Sequence, residues 1–330
     1  MRSLVLTLLM LGFGIPGMAL AQSIGGSGAP ALTLDVSPQY PRPYETIAVS
    51  PSSSAIDLSG ATITLSVNGK QVSTGSGTAP TAVTLGAPGS VTTIKVTAVT
   101  AGGGSYTVTQ TIAPAEVDLI AEPVATSHPF YMGGVGVASQ GQVRLVAVAD
   151  LRASSAKRYL DSTLVYTWKL NGQTLTDASG IGRSIITMSA PVRYRDATLE
   201  VIVTSPDASV VAEDHMVVTP VDPTVRIYEN DPLLGIRYDH ALDSSVTMTA
   251  SEDTFVAVPY NFGSVPNFLW TVAGNPSGTD SSITLRSNGS TGGSATVSVT
   301  ASIDQLFETA SQDLQVVFGP ATQSTGIFGL

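Results

Sequence analysis

Few residues of this 330-residue chain could carry out catalytic chemistry. It has no cysteine and only three histidines, His128, His215 and His240. None of them lies in an HExxH pattern or close in sequence to another, so no zinc site or histidine base is indicated. Serines are abundant, but no G-x-S-x-G elbow, phosphate-binding loop or dinucleotide fingerprint occurs. We therefore expect no enzyme activity, and surface or turn positions for the histidines.

Adjacent carboxylates occur twice, as Glu213-Asp214 and Glu252-Asp253. Glycoside hydrolysis needs two carboxylates that face each other about 5–10 Å apart. Neighbours on a strand point to opposite faces of the sheet, so neither pair could serve that reaction from a strand. We expect both pairs in loops.

A looser group of carboxylates surrounds the start of the last third of the chain. Clustered carboxylates at such a place could bind Ca²⁺, which takes about six to eight oxygen ligands. Arg226 and Arg237 are interleaved with them, and no Asp-x-Asp-x-Asp run occurs. Calcium binding and solvated loop carboxylates both stay open, and no other cofactor is expected. The candidate ligands are Asp222, Glu229, Asp231, Asp239 and Asp243.

Aromatic residues in proline-flanked loops could bind a sugar ring or a protein surface. Tyr40 and Tyr44 lie in the segment SPQYPRPYE, and Phe130 and Tyr131 lie in SHPFYMGG. We predict these four as binding-loop aromatics. The alternative is that they pack over the end of their own domain.

Composition limits the class of partner. Apolar residues make up 43% of the chain and charged residues only 12%, which favours a folded core beneath a surface of Ser, Thr, Gly and Asn. With 32 Gly and 20 Pro, many turns are expected. The net charge is −10 and no Lys/Arg run occurs, so we expect no nucleic-acid partner.

The first residues have the pattern of an export signal. Arg2 precedes an apolar stretch that ends near Met18, and Ala19-Leu20-Ala21 supplies small residues for cleavage. The stretch is shorter than the roughly 20 residues that span a bilayer. We predict a signal peptide over residues 1–21, a flexible linker over 22–31, and a mature chain without a transmembrane segment. The expected location is extracellular, at the cell surface or in a periplasm.

Alternation of apolar and polar residues predicts strands throughout the remaining chain. Clear examples are residues 61–69, 92–100 and 198–205, with Gly, Pro, Asn and Ser between such runs. Residues 151–160 are the one candidate helix, but they lack a sustained apolar stripe, and we predict a loop or one or two turns there. The chain is therefore expected to be all-β.

A repeat of about 100 residues, the length of one immunoglobulin-size sandwich, divides the chain. Three segments align without gaps around a turn, which places one large apolar residue and one glycine of each in register. We predict these as structural core and turn positions: Leu65, Trp168 and Trp270 with Gly69, Gly172 and Gly274. The prediction is three tandem antiparallel β-sandwich domains, with bounds 32–114, 115–221 and 222–319, before a C-terminal tail over 320–330.

An inward aromatic on the third strand, an Asn-Gly turn and paired C-terminal strands together resemble bacterial immunoglobulin-like and PKD-like domains. The sequence departs from both, because Trp168 is followed by KLNGQ and Trp270 by TVAGN, without the Phe-Gly-Asp-Gly of PKD domains. Immunoglobulin cysteines are missing too. The resemblance implies a scaffold in a surface or secreted setting and does not imply a ligand.

Three functions are compatible with these observations. The first is a non-enzymatic exported protein, structural or adhesive, that uses its domains as a semi-rigid array. The second is an array of carbohydrate- or polymer-binding modules that assists an enzyme encoded elsewhere. The third is an envelope or pilus assembly component, whose exposed sheet edges would pair with a partner strand. The expected partners are other envelope or surface proteins, or a glycan.

Overall fold

The computed structural model describes residues 32–287 and 292–318, and this part of the chain is all-β. The predicted signal peptide, the linker and the tail from Pro320 lie outside the described residues. The helical segments within the described ranges are two 3₁₀ turns of three residues, and neither has the length or apolar character to cross a membrane. The chain forms two compact units, one ending at Pro114 and the other beginning at Ala115.

The first unit is one sandwich of two sheets. Its strands alternate core-facing and surface-facing residues, and the core-facing side chains of the two sheets pack against each other. Seven strands build it: β1 (Leu32–Ser37), β2 (Thr46–Ser53), β3 (Thr62–Val67), β4 (Lys70–Ser76), β5 (Thr81–Thr84), β6 (Thr92–Val99) and β7 (Ser105–Ile112). They form antiparallel sheets in the orders β1-β2-β5 and β4-β3-β6-β7. Ile47, Leu65 and Ile94 lie in the core between the sheets.

The second unit begins with another sandwich of similar plan. Its strands are β8 (Glu116–Val124), β9 (Gln142–Asp150), β10 (Val165–Leu170), β11 (Gln173–Thr174), β12 (Gly180–Ile181), β13 (Ile185–Ser189), β14 (Ala197–Thr204) and β15 (Val211–Val218). One sheet has the order β13-β9-β8, and the other has the order β11-β10-β14-β15 with β12 beside β10.

A third sandwich completes the second unit. Its strands among the described residues are β16 (Thr224–Asp231), β17 (Gly235–Leu242), β18 (Ser245–Met248), β19 (Glu252–Tyr260), β20 (Asn267–Val272), β21 (Asn275–Gly278), β22 (Ser282–Arg286), β23 (Gly293–Ile303) and β24 (Glu308–Phe318). The sheets run β17-β16-β19-β22 and β18-β24-β23-β20-β21.

The predicted fold class of three tandem sandwiches is confirmed, with one departure from antiparallel pairing among the strands described. Strand β18 pairs with β24 in parallel, because the chain leaves β17 and crosses to the edge of the opposite sheet. The absence of a helix over residues 151–160 is confirmed as well, since a turn and a bridge between Arg152 and Arg158 occupy that segment.

The loop positions expected for the paired carboxylates are wrong. Glu213 and Asp214 lie within β15, and Glu252 and Asp253 begin β19. Each strand extends through its acidic pair because a neighbouring strand pairs with its backbone there: β14 pairs with β15 along its whole length, and β22 pairs with β19 from Glu252 onward. The Asp214 carboxylate accepts a hydrogen bond from the backbone at the edge of the neighbouring sheet.

The repeated turn has the same backbone geometry in all three sandwiches. A two-residue hairpin turn of type I′ needs a positive φ at both central residues, which favours Asn followed by Gly. The φ angles of the first central residue are +50° at Asn68, +50° at Asn171 and +49° at Ala273, and those of the glycines are +78°, +78° and +80° at Gly69, Gly172 and Gly274.

The asparagine side chain does more than tolerate this backbone. Asn68 Oδ1 accepts a hydrogen bond of 2.9 Å from the backbone N–H of Thr93, and Asn171 Oδ1 accepts one of 2.9 Å from Thr198. Ala273 has no side-chain acceptor for the equivalent N–H. The third turn therefore keeps the shape of the other two without the carboxamide that supports it.

The residues aligned before these turns occupy the cores. Trp168 and Trp270 are fully buried, and each indole Nε1 donates to a backbone carbonyl, at 2.8 Å to Arg183 and at 2.9 Å to Asp280. Leu65 is buried at the aligned place in the first sandwich. Because burial and hydrogen bonding satisfy both indoles, neither ring is available to a ligand.

Candidate binding site

Tyr44 projects from a tight surface turn in the first sandwich. The backbone N–H of Glu45 donates to the carbonyl of Arg42 at 3.2 Å, which makes Tyr44 the third residue of a four-residue turn. Its φ is +62° and 68% of its surface is exposed. Tyr40, the other predicted aromatic of this loop, is half-buried, and its hydroxyl accepts a hydrogen bond from Gln39.

Phe130 has the same position in a turn of the second sandwich. The turn runs from His128 to Tyr131 and is closed by a 3.3 Å backbone hydrogen bond, with Pro129 before Phe130. The φ of Phe130 is +63° and its side chain is 94% exposed. The following Met132 is almost completely exposed. The tip of this loop therefore presents two large apolar side chains to solvent.

A third turn of this kind was not identified from the sequence. It runs from Val192 to Arg195, and its third residue, Tyr194, has a φ of +61° and is 84% exposed. The equivalent turn of the first sandwich, Ala87 to Ser90, has Pro88-Gly89 at its centre. Extending the repeat alignment to this pair of turns would have found Tyr194, since glycine is the usual residue there.

These three aromatics occupy positions that their side chains disfavour. Left-handed backbone costs a residue with a Cβ about 1–2 kcal/mol, and glycine avoids that cost. High exposure leaves little packing within the chain to offset it. Phe307 adds a fourth case, at φ +52° after a 3₁₀ turn and also highly exposed. We name Tyr44, Phe130 and Tyr194, with their turns, the aromatic turns.

A second aromatic feature lies on the outer face of the third sandwich. Strand β19 is buried on both of its faces, which explains its continuous apolar run. Phe255 and Ala257 point into the core, whereas Val256, Val258 and Tyr260 form a separate apolar cluster on the other side of the sheet. The outer sheet faces of a sandwich are mostly polar. An apolar outer face such as this one is expected to be covered by another part of the chain.

The loop of the second sandwich covers it with two rings. His128 stacks on Tyr238, with ring centroids 4.8 Å apart and planes 14° apart. Tyr131, Tyr260 and Tyr228 meet the imidazole at 5.2, 5.8 and 6.4 Å in edge-to-face geometry. Tyr131 also meets Tyr260 edge to face. We call His128, Tyr131, Tyr228, Tyr238 and Tyr260 the tyrosine cluster.

Two of these tyrosines hydrogen-bond to each other through their hydroxyl groups. The hydroxyls of Tyr228 and Tyr260 are 2.7 Å apart and buried. Burial and this hydrogen bond raise the pKa of the Tyr260 hydroxyl. His128 does begin a turn, as expected, but nothing in the sequence predicted that its half-buried ring would pack among tyrosines of the third sandwich. His215 and His240 are exposed on strands β15 and β17.

The same loop is tied to the third sandwich at both ends. Thr126 exchanges backbone and side-chain hydrogen bonds with Asn261 and Phe262, at 2.9 to 3.1 Å. Ten residues on, the N–H of Gly136 donates to Asn261 Oδ1 at 2.8 Å. A Cβ at Gly136 would lie 2.2 Å from a methyl group of Val221 in the same sandwich and 3.2 Å from Asn261 Oδ1 of the third, so glycine suits this position best. The second and third sandwiches are thus fixed to each other here.

A buried carboxylate forms a second contact between these sandwiches. Glu308, at the start of β24, is 1% exposed, and one of its oxygens accepts a hydrogen bond from the N–H of Gly263 at 3.3 Å. Burial raises the pKa of Glu308, while the Gly263 hydrogen bond within the third sandwich favours its charged form. The Arg193 charge and a backbone hydrogen bond from Ser139, both of the second sandwich, act in the same direction. Arg193 also pairs with Asp222 at 3.3 Å. This contact was not anticipated from the sequence.

The five predicted calcium ligands are not brought together. Within the described residues, no group of three or more acidic or histidine side chains has an arrangement that could hold a metal ion. Asp231 accepts hydrogen bonds from the backbone of its own turn, which lower its pKa. Three others pair with arginines: Asp222 with Arg193, Asp239 with Arg237, and Asp243 with Arg226. Calcium binding stays a prediction.

Glu229, the fifth of these carboxylates, lines a shallow hollow of about 230 Å³ beside Glu252 and Asp253. Burial, and then the charge of Glu229, raise the pKa of Asp253. Arg286 pairs with Glu252 at 2.5 Å and neutralises one wall of the hollow. None of the predicted loop aromatics is among the described residues that line this hollow.

Comparisons with known proteins support no family assignment. No protein-family model matches the chain, and no curated protein matches it in sequence. The three N-terminal domains of the bacteriophage RB49 Highly Immunogenic Outer Capsid protein are 14% identical, over 89% of this chain and 100% of that one, with a TM-score of 0.26. The fibronectin(III)-like modules of Clostridium thermocellum CbhA are 13% identical, over 65% and 100%, with a TM-score of 0.24.

A third solved structure is a Bacteroides ovatus protein, SGBP-B of a mixed-linkage glucan utilization locus, in complex with a mixed-linkage heptasaccharide. It is 14% identical, over 93% of this chain and 78% of that one, with a TM-score of 0.22. Likenesses of this size carry no argument about function. The fold assignment rests on the sheet topology described above.

Proposed function

We propose that this chain is a non-enzymatic, exported adhesive array that presents the aromatic turns to a partner surface. The observation that carries the proposal is the residue type at the third position of these turns. Tyr44, Phe130 and Tyr194 are exposed there, at a backbone conformation in which glycine would cost less. A residue that neither the backbone nor the core explains indicates a contact made outside the chain.

The joint between the second and third sandwiches supports an array that transmits force or holds spacing. Hydrogen bonds from Thr126 and Gly136, ring packing at His128 and the interactions of Glu308 with Ser139 and Arg193 all cross it. A flexible linker would have none of these contacts. This agrees with a structural or adhesive role more than with independent modules on a loose tether.

The test of adhesion replaces the three aromatics with glycine. Tyr44→Gly, Phe130→Gly and Tyr194→Gly, combined in the full chain, should leave the melting temperature unchanged or higher, because the left-handed strain is relieved. Retention on purified bacterial envelopes, measured by co-sedimentation, should fall at least about tenfold, as expected when exposed anchor residues are lost. Gln140→Gly is the matched control, since Gln140 is the exposed third residue of a similar turn with φ +55°.

Two results would contradict the adhesion proposal. One is a triple variant that melts at a clearly lower temperature, which would assign the aromatics to folding. The other is unchanged retention of a stable triple variant.

The stiffness of the joint is measurable because the chain has no cysteine of its own. Spin labels on Ser155→Cys and Ser277→Cys report the separation of the second and third sandwiches by electron–electron double resonance. We expect a narrow distance distribution that broadens when Asn261→Gly removes the carboxamide acceptor but keeps the left-handed backbone at that residue. A broad distribution in the unmodified background would contradict a stiff joint.

Carbohydrate binding is the second candidate, and the outer face of the first sandwich favours it. One row of that face consists of four threonines, one from each strand, with Thr64 and Thr74 hydroxyls 3.3 Å apart and those of Thr97 and Thr107 3.1 Å apart. This row of hydroxyls suits a neutral glycan, and Lys95 is an exposed charge in the next row of the same face. Calorimetric titration with soluble β-glucan and chitin oligosaccharides tests it, since the buried tryptophans cannot report a surface ligand by quenching. Absence of saturable heat would eliminate this candidate.

Export is tested separately from adhesion. Cell fractionation should place the chain outside the cytoplasm, and N-terminal sequencing should start at Gln22. Recovery of Met1 or Arg2 from the exported fraction would contradict the predicted signal peptide.

A further inference from the structure

The tyrosine cluster is divided between two sandwiches in an informative way. Three of its rings, Tyr228, Tyr238 and Tyr260, belong to the outer face of the sheet β17-β16-β19-β22 of the third sandwich. We call these three the tyrosine slot. The ring that fills the slot, His128, comes from a loop of the second sandwich. The slot is therefore occupied by a side chain that the third sandwich does not itself provide.

The loop that carries His128 is anchored at its ends and held by rings in its middle. Thr126 and Gly136 make the hydrogen bonds to Asn261 and Phe262 that fix its two ends. Between them, the contacts with the slot are ring contacts of His128 and Tyr131. Withdrawing the imidazole would break the ring contacts of His128 and leave the anchoring hydrogen bonds in place.

The chemistry of the slot suits a flat, positively charged group. Tyr238 offers its face to a planar ring at 4.8 Å, and Tyr228 and Tyr260 surround that ring edge to face. The faces of aromatic rings are electron-rich and attract cations. Guanidinium groups in particular stack on tyrosine faces. The net charge of −10 on the chain adds a long-range attraction for cations.

We propose that Tyr228, Tyr238 and Tyr260 form a binding slot for a flat organic cation, and that His128 occupies this slot when no ligand is present. A guanidinium group satisfies the chemistry whether it comes from a small molecule or from an arginine side chain of a partner. The proposal does not depend on adhesion through the aromatic turns.

The experiment opens the slot and fills it with defined probes. In the full chain, His128→Ala removes the occupying ring, and His240→Ala is the control because His240 is exposed on β17 outside the cluster. Calorimetry measures binding of methylguanidinium and of pyrazole, a flat ring that stays neutral. We expect His128→Ala to bind methylguanidinium at least about tenfold more tightly than pyrazole, and more tightly than the unmodified chain or His240→Ala does.

A second arm distinguishes the two sources of the cation. N-acetyl-arginine amide presents the same guanidinium on a peptide-like stem, so tighter binding than methylguanidinium indicates a partner side chain, and weaker binding indicates a small molecule. Adding Tyr238→Leu to His128→Ala should abolish binding of either probe, because it removes the ring on which the ligand stacks. His128→Gln is the alternative background if His128→Ala does not unfold cooperatively.

Two outcomes would overturn the slot. Equal binding of pyrazole and methylguanidinium would show that the rings select apolar flatness and not charge. A folded His128→Ala chain that binds no probe would show that the cluster serves only to join the two sandwiches.

Discussion

Two sets of turns in this chain share left-handed backbone but differ in how their residues suit it. In the hairpin turns, Asn68 and Asn171 adopt positive φ angles, and their side chains also accept a backbone hydrogen bond. In the aromatic turns, Tyr44, Phe130 and Tyr194 adopt the same region with large exposed rings. The first set is explained within the chain, by geometry and hydrogen bonding. The second set gains less from the chain: the Arg193 guanidinium lies 5.9 Å from the Tyr194 ring centroid, and an exposed contact of this kind is worth about 0.5–1 kcal/mol. This difference is our reason for assigning the set to a partner.

The largest effect should separate a buried aromatic from an exposed one. Trp270→Ala removes a fully buried ring and its hydrogen bond, so the third sandwich should lose about 3–5 kcal/mol of unfolding free energy. Tyr194→Ala should change the stability by no more than about 0.5 kcal/mol. Urea denaturation followed by far-ultraviolet circular dichroism measures both. A comparable loss in Tyr194→Ala would remove the distinction between the two kinds of aromatic.

Within the hairpin turns, Asn171→Ala should cost about 1–2 kcal/mol. Alanine tolerates left-handed backbone less well than asparagine does. The change also removes the acceptor for the Thr198 N–H. The fluorescence of Trp168 in a Trp270→Phe background follows the second sandwich alone, because the chain has only two tryptophans. The exposed Asp177→Ala is the control for a change on the same sandwich.

An exchange between the equivalent turns of the first two sandwiches tests the comparison directly. Gly89→Tyr should destabilise the first sandwich by about 1–2 kcal/mol, since its φ is +78°. Tyr194→Gly should be neutral or stabilise the second sandwich by up to about 1 kcal/mol. Hydrogen-exchange mass spectrometry resolves the two sandwiches in one chain. If the two changes had the same sign, strain would not distinguish these turns.

A smaller gain is expected where a hairpin turn lacks its asparagine. Ala273→Asn should stabilise the third sandwich by about 0.5–1 kcal/mol, because the carboxamide can accept from the Thr296 N–H as Asn68 accepts from Thr93. The fluorescence of Trp270 in a Trp168→Phe background measures it. Ala273→Ser is the matched control, since serine is polar but does not share the preference of asparagine for this backbone.

The smallest effect concerns a turn held by a carboxylate. Hydrogen bonds from the hydroxyls of Ser205 and Ser209 lower the pKa of Asp207 to about 2. The unfolded value is about 3.9, so the folded state is favoured above that pH, and the contribution is lost as the pH falls from about 4 to about 2. The melting-temperature difference between the unmodified chain and Asp207→Asn should therefore shrink over this window. A constant difference would show that the carboxylate charge is not what supports the turn.

Much of the fold was predictable because local signals agree with each other. Alternation gave the strands, and the aligned glycines gave three hairpin turns whose φ angles agree within two degrees. Parallel pairing of β18 was not predictable, because a four-residue strand carries no information on which edge it will join. The strand positions of the acidic pairs were missed for a similar reason, since two charged residues do not interrupt a strand whose backbone is already paired with a neighbouring strand.

The candidate sites were predictable only in part. Phe130 and Tyr131 were predicted together, but Phe130 is 94% exposed, whereas Tyr131 is 43% exposed and packs on Tyr260. Adjacent residues of a turn point in different directions, and sequence spacing alone does not say which one meets a neighbour. Tyr194 was within reach of the repeat alignment, whereas Glu308 was not, because its burial depends on another sandwich.

The sequence by itself determined the sandwich class, the repeated turn and the burial of Trp168 and Trp270, because these depend on periodicity and backbone preference within one repeat. Only the tertiary structure decided that His128 would lie in the tyrosine slot, since that contact joins residues about 100 positions apart on different sandwiches. Local preference acts between near neighbours along the chain. Contacts across a joint depend on how two folded domains pack against each other, and the type of a single residue does not predict that packing.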